Sequence, residues 1–176
     1  MIKKALILTG NFVQDHEFIY PYYRLLEEGF KVDVCLLEGK PVQGIAGTKI
    51  PPNKDQVIKK VDEISPNDYQ ILVLPGGVKA MEKVRQDKNI INFISEFDKQ
   101  KKIIACICSG AQLLISAKVV KGRKIAGYYS MEDDLVNAGA IYTDKPAVVD
   151  DNIITTAHYK DMGPWMRETL NKLKNV

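Results

Sequence analysis

The sequence predicts a mainly parallel, doubly wound α/β sheet with helices on both faces. Short apolar runs alternate with stretches of helical periodicity along the whole chain, the pattern of strand–helix–strand units. The runs are almost continuously apolar, as strands covered on both faces should be. At 176 residues the chain fits one compact domain spanning 1–176, with enough core to need no staples. No repeat, low-complexity stretch or linker divides it.

The elements follow in order. Ala5-Leu6-Ile7-Leu8 forms a first buried strand. Phe18 to Gly29 reads as a helix closed by a glycine at its C-terminal cap. Val32 to Leu37 is a second strand. The glycines and prolines between Glu38 and Asn53 suggest a hairpin or an irregular excursion. Ile71-Leu72-Val73-Leu74 is a third strand, stopped by Pro75-Gly76-Gly77. Ile90, Ile91, Phe93, Ile94 and Phe97 stand at helical spacing and make one apolar face. Ile103 to Ile107 is a fourth strand, which breaks at Cys108-Ser109-Gly110 into a helical stretch from Ala111 to Lys118. Val148 to Ile154 reads as a hairpin, and Asp161 to Lys174 as a closing helix.

Composition removes several function classes. Lys+Arg 25 against Asp+Glu 22 leaves a net charge of +3, too mild for a nucleic-acid surface, and the basic run Lys99 to Lys102 reads as a solvated helix end. No apolar run reaches the ~20 residues that a membrane helix needs. The first apolar run is too short for a signal peptide, so a cytoplasmic protein with reduced thiols is expected. The three cysteines, Cys35, Cys106 and Cys108, suit neither a disulfide framework nor a zinc site. No phosphate-binding loop, dinucleotide fingerprint or metal-ligand cluster is present, so neither a cofactor nor a metal is expected.

In an open α/β sheet, ligands bind beyond the carboxyl ends of the strands. Three segments fall at that edge: Asn11 to Glu17, Pro75-Gly76-Gly77 and Cys108-Ser109-Gly110. Cys108 ends an apolar strand and opens a helix, in the manner of a nucleophile elbow. The helix N-terminus behind it is expected to favour the thiolate. Backbone N–H groups of Ser109 and of the Gly76-Gly77 turn could bind a developing oxyanion. Cys35 and Cys106, both mid-strand, read as core residues. Glu17 is the candidate partner of the thiol, since a carboxylic acid beside a thiolate can donate a hydrogen bond to it. Nothing in the sequence places His16 or His158 beside Cys108, and each is read as a structural or surface residue.

These motifs together resemble the ThiJ/PfpI (DJ-one) superfamily, in the branch named for PfpI intracellular proteases. The similarity runs through Ile7-Leu8-Thr9-Gly10-Asn11, Asp15-His16-Glu17, Leu74-Pro75-Gly76-Gly77, Ala105 to Ile115, Lys121-Gly122-Arg123-Lys124, Asp133-Asp134 and Trp165-Met166-Arg167-Glu168. The resemblance implies a flavodoxin-like fold, Cys108 as nucleophile, Glu17 as its carboxylic partner, and the amides of Gly77 and Ser109 as oxyanion donors. It also implies that Glu82 reaches the active site of a neighbouring subunit in a homodimer or hexamer, and that Tyr128 lies near the pocket. Ser109 stands where the protease-like branch has a histidine directly after the nucleophile, so the Cys–His–Glu triad of peptidase activity cannot be drawn.

The first expectation is therefore an enzyme acting on small reactive carbonyl compounds, of the glyoxalase or deglycase kind, through addition of the Cys108 sulfur. A related hydrolase or hydratase would use the same residues. An intracellular cysteine peptidase and a stress sensor working by oxidation of Cys108 are the alternatives.

Overall fold

In the computed structural model, residues 2–174 are described. The chain forms β1 (Lys4–Thr9), α1 (Asp15–Glu27), β2 (Lys31–Leu36), β3 (Val42–Gln43), β4 (Lys49–Ile50), β5 (Ile58–Lys59) and β6 (Ile71–Leu74). It continues through α2 (Val78–Val84), α3 (Lys88–Lys99), β7 (Ile103–Ile107), α4 (Ala111–Ser116), β8 (Lys124–Ile125) and α5 (Glu132–Asn137). The last elements are β9 (Ile141–Tyr142), β10 (Val148–Asp150), β11 (Ile153–Thr156) and α6 (Met162–Lys174). Seven strands make the central sheet in the order β10-β11-β7-β6-β1-β2-β5. Every pairing is parallel except that of the edge strand β10 with β11. This is the flavodoxin-like, doubly wound α/β sheet that the alternating runs predict.

Because side chains alternate across a strand, each apolar run feeds two cores. Leu6, Leu8, Leu72, Leu74, Ile104 and Cys106 pack on one face against α2, α3 and α4, while Ala5, Ile7, Ile71, Val73, Ile103 and Ala105 pack on the other against α1 and α6. The buried face of α3 is formed by Ile90, Phe93, Ile94 and Phe97, the spacing expected of one helical stripe. Cys35 and Cys106 are fully buried among these side chains. Trp165 of α6 is also fully buried and donates its indole N–H to the Ile154 carbonyl at 3.1 Å.

Helix α1 begins at Asp15, three residues before the expected start, and carries Asp15 and Glu17 in its first turn, where acidic side chains complement the helix dipole. Its end is the expected glycine cap. Gly29 adopts φ +79°, its N–H bonds the Leu26 carbonyl, and the Phe30 N–H reaches back to Leu25, which satisfies the last carbonyls of the helix. The excursion after β2 is a hairpin of β3 and β4. Asp15 ties it to α1, its carboxylate accepting from the Ala46 N–H at 2.7 Å and the Thr48 N–H at 2.8 Å. The short elements β5, α2, β8, α5 and β9 have no counterpart in the sequence reading, because two-residue ladders and one- to two-turn helices carry no measurable periodicity. The closing helix starts one residue later than expected, after a turn over Tyr159–Asp161.

One buried polar cluster fastens the carboxyl-terminal third. Asp98, at the end of α3, accepts from both terminal nitrogens of Arg123 at 2.8 and 3.2 Å and from the Asn152 amide at 3.1 Å. The same amide donates to the Lys102 carbonyl. Asp98→Ala is expected to lower unfolding stability by about 3 kcal/mol, because it leaves a guanidinium half-buried with no counter-charge. Urea denaturation checks this, and a loss below ~1 kcal/mol would mean that Arg123 is satisfied by solvent.

Candidate active site

Strands β1, β6, β7 and β11 release their chains at the same carboxyl edge, and the site is assembled there. The Cys108 backbone is driven into the left-handed region, φ +59°, which a residue with a Cβ adopts only where its surroundings enforce it. Ile107 is still extended, and Cys108–Gly110 is already a turn of 3₁₀ helix leading into α4. The strand therefore turns sharply at the cysteine, and the side chain projects into a cavity of about 310 Å³. Gly110 is needed for this bend, since a Cβ there would lie 2.5 Å from the Leu74 carbonyl.

Glu17 comes from the first turn of α1 and is fully buried. Its Oε2 accepts the Gly76 N–H at 2.7 Å. Its Oε1 has no hydrogen-bond partner, and the Cys108 thiol is a side-chain neighbour of the carboxyl. Burial pushes the Glu17 carboxyl up to about 7, against the opposing pull of the Gly76 amide and the thiol. Burial, reinforced by the Glu17 charge, pushes the Cys108 thiol up to about 12, while the Ser109 amide and hydroxyl pull it down. The two groups titrate as a pair. Between these steps the pair holds one proton, on sulfur or on oxygen. The expectation of a thiol acidified by its helix is thereby corrected: α4 is only six residues long, and burial and Glu17 outweigh it.

Gly77, Ser109 and Tyr128 line the cavity together with Cys108 and Glu17. The Gly77 conformation, φ +101°, brings its Cα so near the loop after β1 that a Cβ would meet the Phe12 carbonyl at 2.5 Å. Gly76 corrects the sequence reading. Its N–H is held by Glu17 and is not free for an oxyanion, so its part is to fix the carboxyl. A methyl group there would fall 2.5 Å from Glu17 Oε2 and 2.8 Å from Cys108 Cβ. Gly76→Ala is accordingly expected to force the pair apart and slow Cys108 alkylation at pH 7 by an order of magnitude or more, read by peptide mass spectrometry. An unchanged rate would show that the pair tolerates the shift.

Glu82 is exposed on α2, outside the lining of this cavity in its own chain. Tyr128 is 39% exposed at the cavity mouth and donates its backbone N–H to the Cys108 carbonyl at 3.2 Å. His158, which the sequence reading left as a structural or surface residue, lines the cavity. The reason lies in the register. Thr156 of β11 pairs in parallel with Ile107 of β7, so the residues just beyond each strand emerge side by side. A titratable residue two positions past the last strand was the available signal. His16 instead stacks on Tyr159, with ring centroids 5.2 Å apart, and faces a larger apolar groove along α1 that contains no thiol. Among the described residues no cluster of His, Cys, Asp or Glu could hold a metal ion, and no helix is long and apolar enough to cross a membrane.

The chain is similar to known proteins over nearly its whole length. It is 39% identical over 171 residues to Deglycase PfpI of Pyrococcus furiosus, covering 97% of this chain and 99% of that protein. It is 33% identical to Protein/nucleic acid deglycase 2 of Escherichia coli, covering 98% and 99% of the two chains. Among solved structures, a two-domain protein from Anabaena variabilis with DJ-1/ThiJ/PfpI-like and ferritin-like domains superposes with a TM-score of 0.89 at 31% identity. That match covers 98% of this chain and 48% of the longer one. The DJ-1/PfpI family model matches residues 3–172, and the chain belongs to the DJ-1/PfpI family.

Proposed function

We propose that this protein is a cysteine-dependent enzyme acting on small reactive carbonyl compounds, of the glyoxalase or deglycase kind. The observation that carries the reading is the fully buried Glu17 carboxyl set beside the Cys108 thiol, both lining one cavity. The deglycase names of relatives that match end to end support it.

The first chemical step follows from the pair. The sulfur attacks the aldehyde carbon as Glu17 takes its proton. The carbonyl electron pair moves onto oxygen, where the amides of Gly77 and Ser109 would hold it. Glu17 then returns the proton to that oxygen, leaving a neutral thiohemiacetal. The step needs no imidazole next to the nucleophile, so Ser109 is no obstacle to it. Peptide hydrolysis differs, because its amine leaving group requires a general acid, and a serine supplies none near neutral pH. Glu82 keeps its proposed part at a neighbouring subunit's cavity in a homodimer or hexamer, for which its exposure on α2 leaves it available.

Turnover of methylglyoxal by the parent and its loss in Cys108→Ala test the reading. A Cys108→Ala protein as fast as the parent would overturn it. Cleavage of a quenched peptide library that disappears in Cys108→Ser would establish the peptidase reading in its place.

A further inference from the structure

Arg24, Arg85 and Arg123 are half-buried arginines. Arg24 reaches Glu28 at 2.6 Å, and Arg123 reaches Asp98 at 2.8 Å. Arg85 has no carboxylate oxygen within 4.0 Å among the described residues. It closes α2, and neutral groups of α4 hold its guanidinium. Nε donates to the Ser116 hydroxyl at 2.9 Å, and Nη1 to the Gln112 side-chain oxygen at 3.4 Å. These bonds fix the plane of the fork, leave donors on both terminal nitrogens and offset none of the charge. The guanidinium lines a cavity of about 360 Å³ that shares no residue with the Cys108 cavity. Ile115, Met131 and Ala138 give it an apolar wall, and the exposed Asp134 and Asn137 of α5 complete the lining.

Arg85 and Asp134 therefore line one cavity with opposite charges and form no ion pair. A plain anion drawn to the guanidinium would meet Asp134, with Glu132 and Asp133 in the same helical turn behind it. A plain cation drawn to Asp134 would meet Arg85. Only a ligand that carries both charges finds a complementary group at each end. We propose that this cavity binds a zwitterionic α-amino acid with an apolar side chain. The carboxylate lies on the free end of the Arg85 fork, whose planar geometry suits two parallel N–H···O bonds. The ammonium lies on Asp134 and the side-chain oxygen of Asn137. The apolar side chain packs against Ile115 and Met131, which sets a preference for a branched aliphatic group over a polar one. Binding here stands whether or not Cys108 turns over a carbonyl substrate, since the two cavities have no residue in common.

The probe is L-leucine, titrated calorimetrically into the whole protein at neutral pH, with two half-ligands beside it. 4-Methylpentanoate is leucine without its ammonium, and 3-methylbutylamine is leucine without its carboxylate. The parent should bind L-leucine saturably, and each half-ligand should bind at least about tenfold more weakly, the loss of one hydrogen bond to a charged group. Arg85→Gln and Asp134→Asn should each weaken L-leucine by a similar factor. Asp134→Asn alters only an exposed side chain, so it carries the test should Arg85→Gln fail to fold. Cys108→Ala should bind as the parent does. No saturable heat up to about 20 mM, well above a millimolar Kd, would overturn the proposal. So would a half-ligand as tight as L-leucine, or an Asp134→Asn protein with the parent's affinity. Binding that is lost in Cys108→Ala would place the amino acid in the other cavity and overturn it as well.

Discussion

Cys108→Ala is expected to lower kcat/KM for methylglyoxal by at least about 10³-fold, since removing the proposed nucleophile leaves only binding and oxyanion contacts to act on the substrate. Cys35→Ala and Cys106→Ala should stay close to the parent in turnover, because both thiols are fully buried in the core and only Cys108 reaches the cavity. The pH dependence adds a sharper criterion. Glu17 is raised to about 7, so the pair loses its first proton there, and kcat/KM should rise from acid pH to a plateau above that value. Iodoacetamide labelling of Cys108 should follow the same curve. In Glu17→Gln the sulfur has no carboxylate to take its proton, and burial alone governs the thiol. The labelling midpoint should then move above the ~8.5 of a free thiol. A midpoint unchanged by Glu17→Gln would mean that the carboxyl does not share the proton.

The second large effect is on stability, and it has the opposite sign. The Glu17 carboxyl titrates at about 7 when folded and near its ordinary value of 4.5 when unfolded. Between those pH values the folded state binds more protons than the unfolded state, so stability falls as pH rises through that window. The shift corresponds to a cost of about 3 kcal/mol, complete above pH 7 and absent below pH 4.5. Glu17→Gln keeps the shape, still accepts the Gly76 N–H and carries no charge. It should therefore stabilise the protein by up to about 3 kcal/mol at pH 8 and by little at pH 4.5, while lowering turnover sharply. Guanidinium unfolding at the two pH values measures this. An equal gain at both would show that the charge is not the source. A site that gains stability when its acid is neutralised is holding a strained arrangement for chemistry.

The remaining observations divide by how far they depend on distance along the chain. The runs Ala5 to Leu8, Ile71 to Leu74 and Ile103 to Ile107 were legible as buried strands because local composition alone distinguishes a strand covered on both faces. The glycine cap at Gly29 and the elbow at Cys108 were legible because each requires a particular backbone at a particular residue. Glu17 and Cys108 stand 91 positions apart in the chain, and the family motifs joined them where periodicity could not.

Strand register was beyond the reach of local pattern, because it is set by packing between segments remote in sequence. Only the pairing of Thr156 with Ile107 shows that His158 emerges beside Cys108, and only the position of the Gly76 N–H against Glu17 shows that this amide is already taken. The direction of the thiol's shift was hidden for the same reason. A helix N-terminus can be read from residue order, but the desolvation that outweighs it depends on every neighbour that excludes water. Sequence alone thus determined the layers of this protein and the elbow at which Cys108 stands, and it singled out Glu17 as the candidate partner of that thiol. The tertiary structure decided which groups share a proton, which donors remain free and which imidazole lines the cavity, because those properties belong to contacts between elements and not to any one of them.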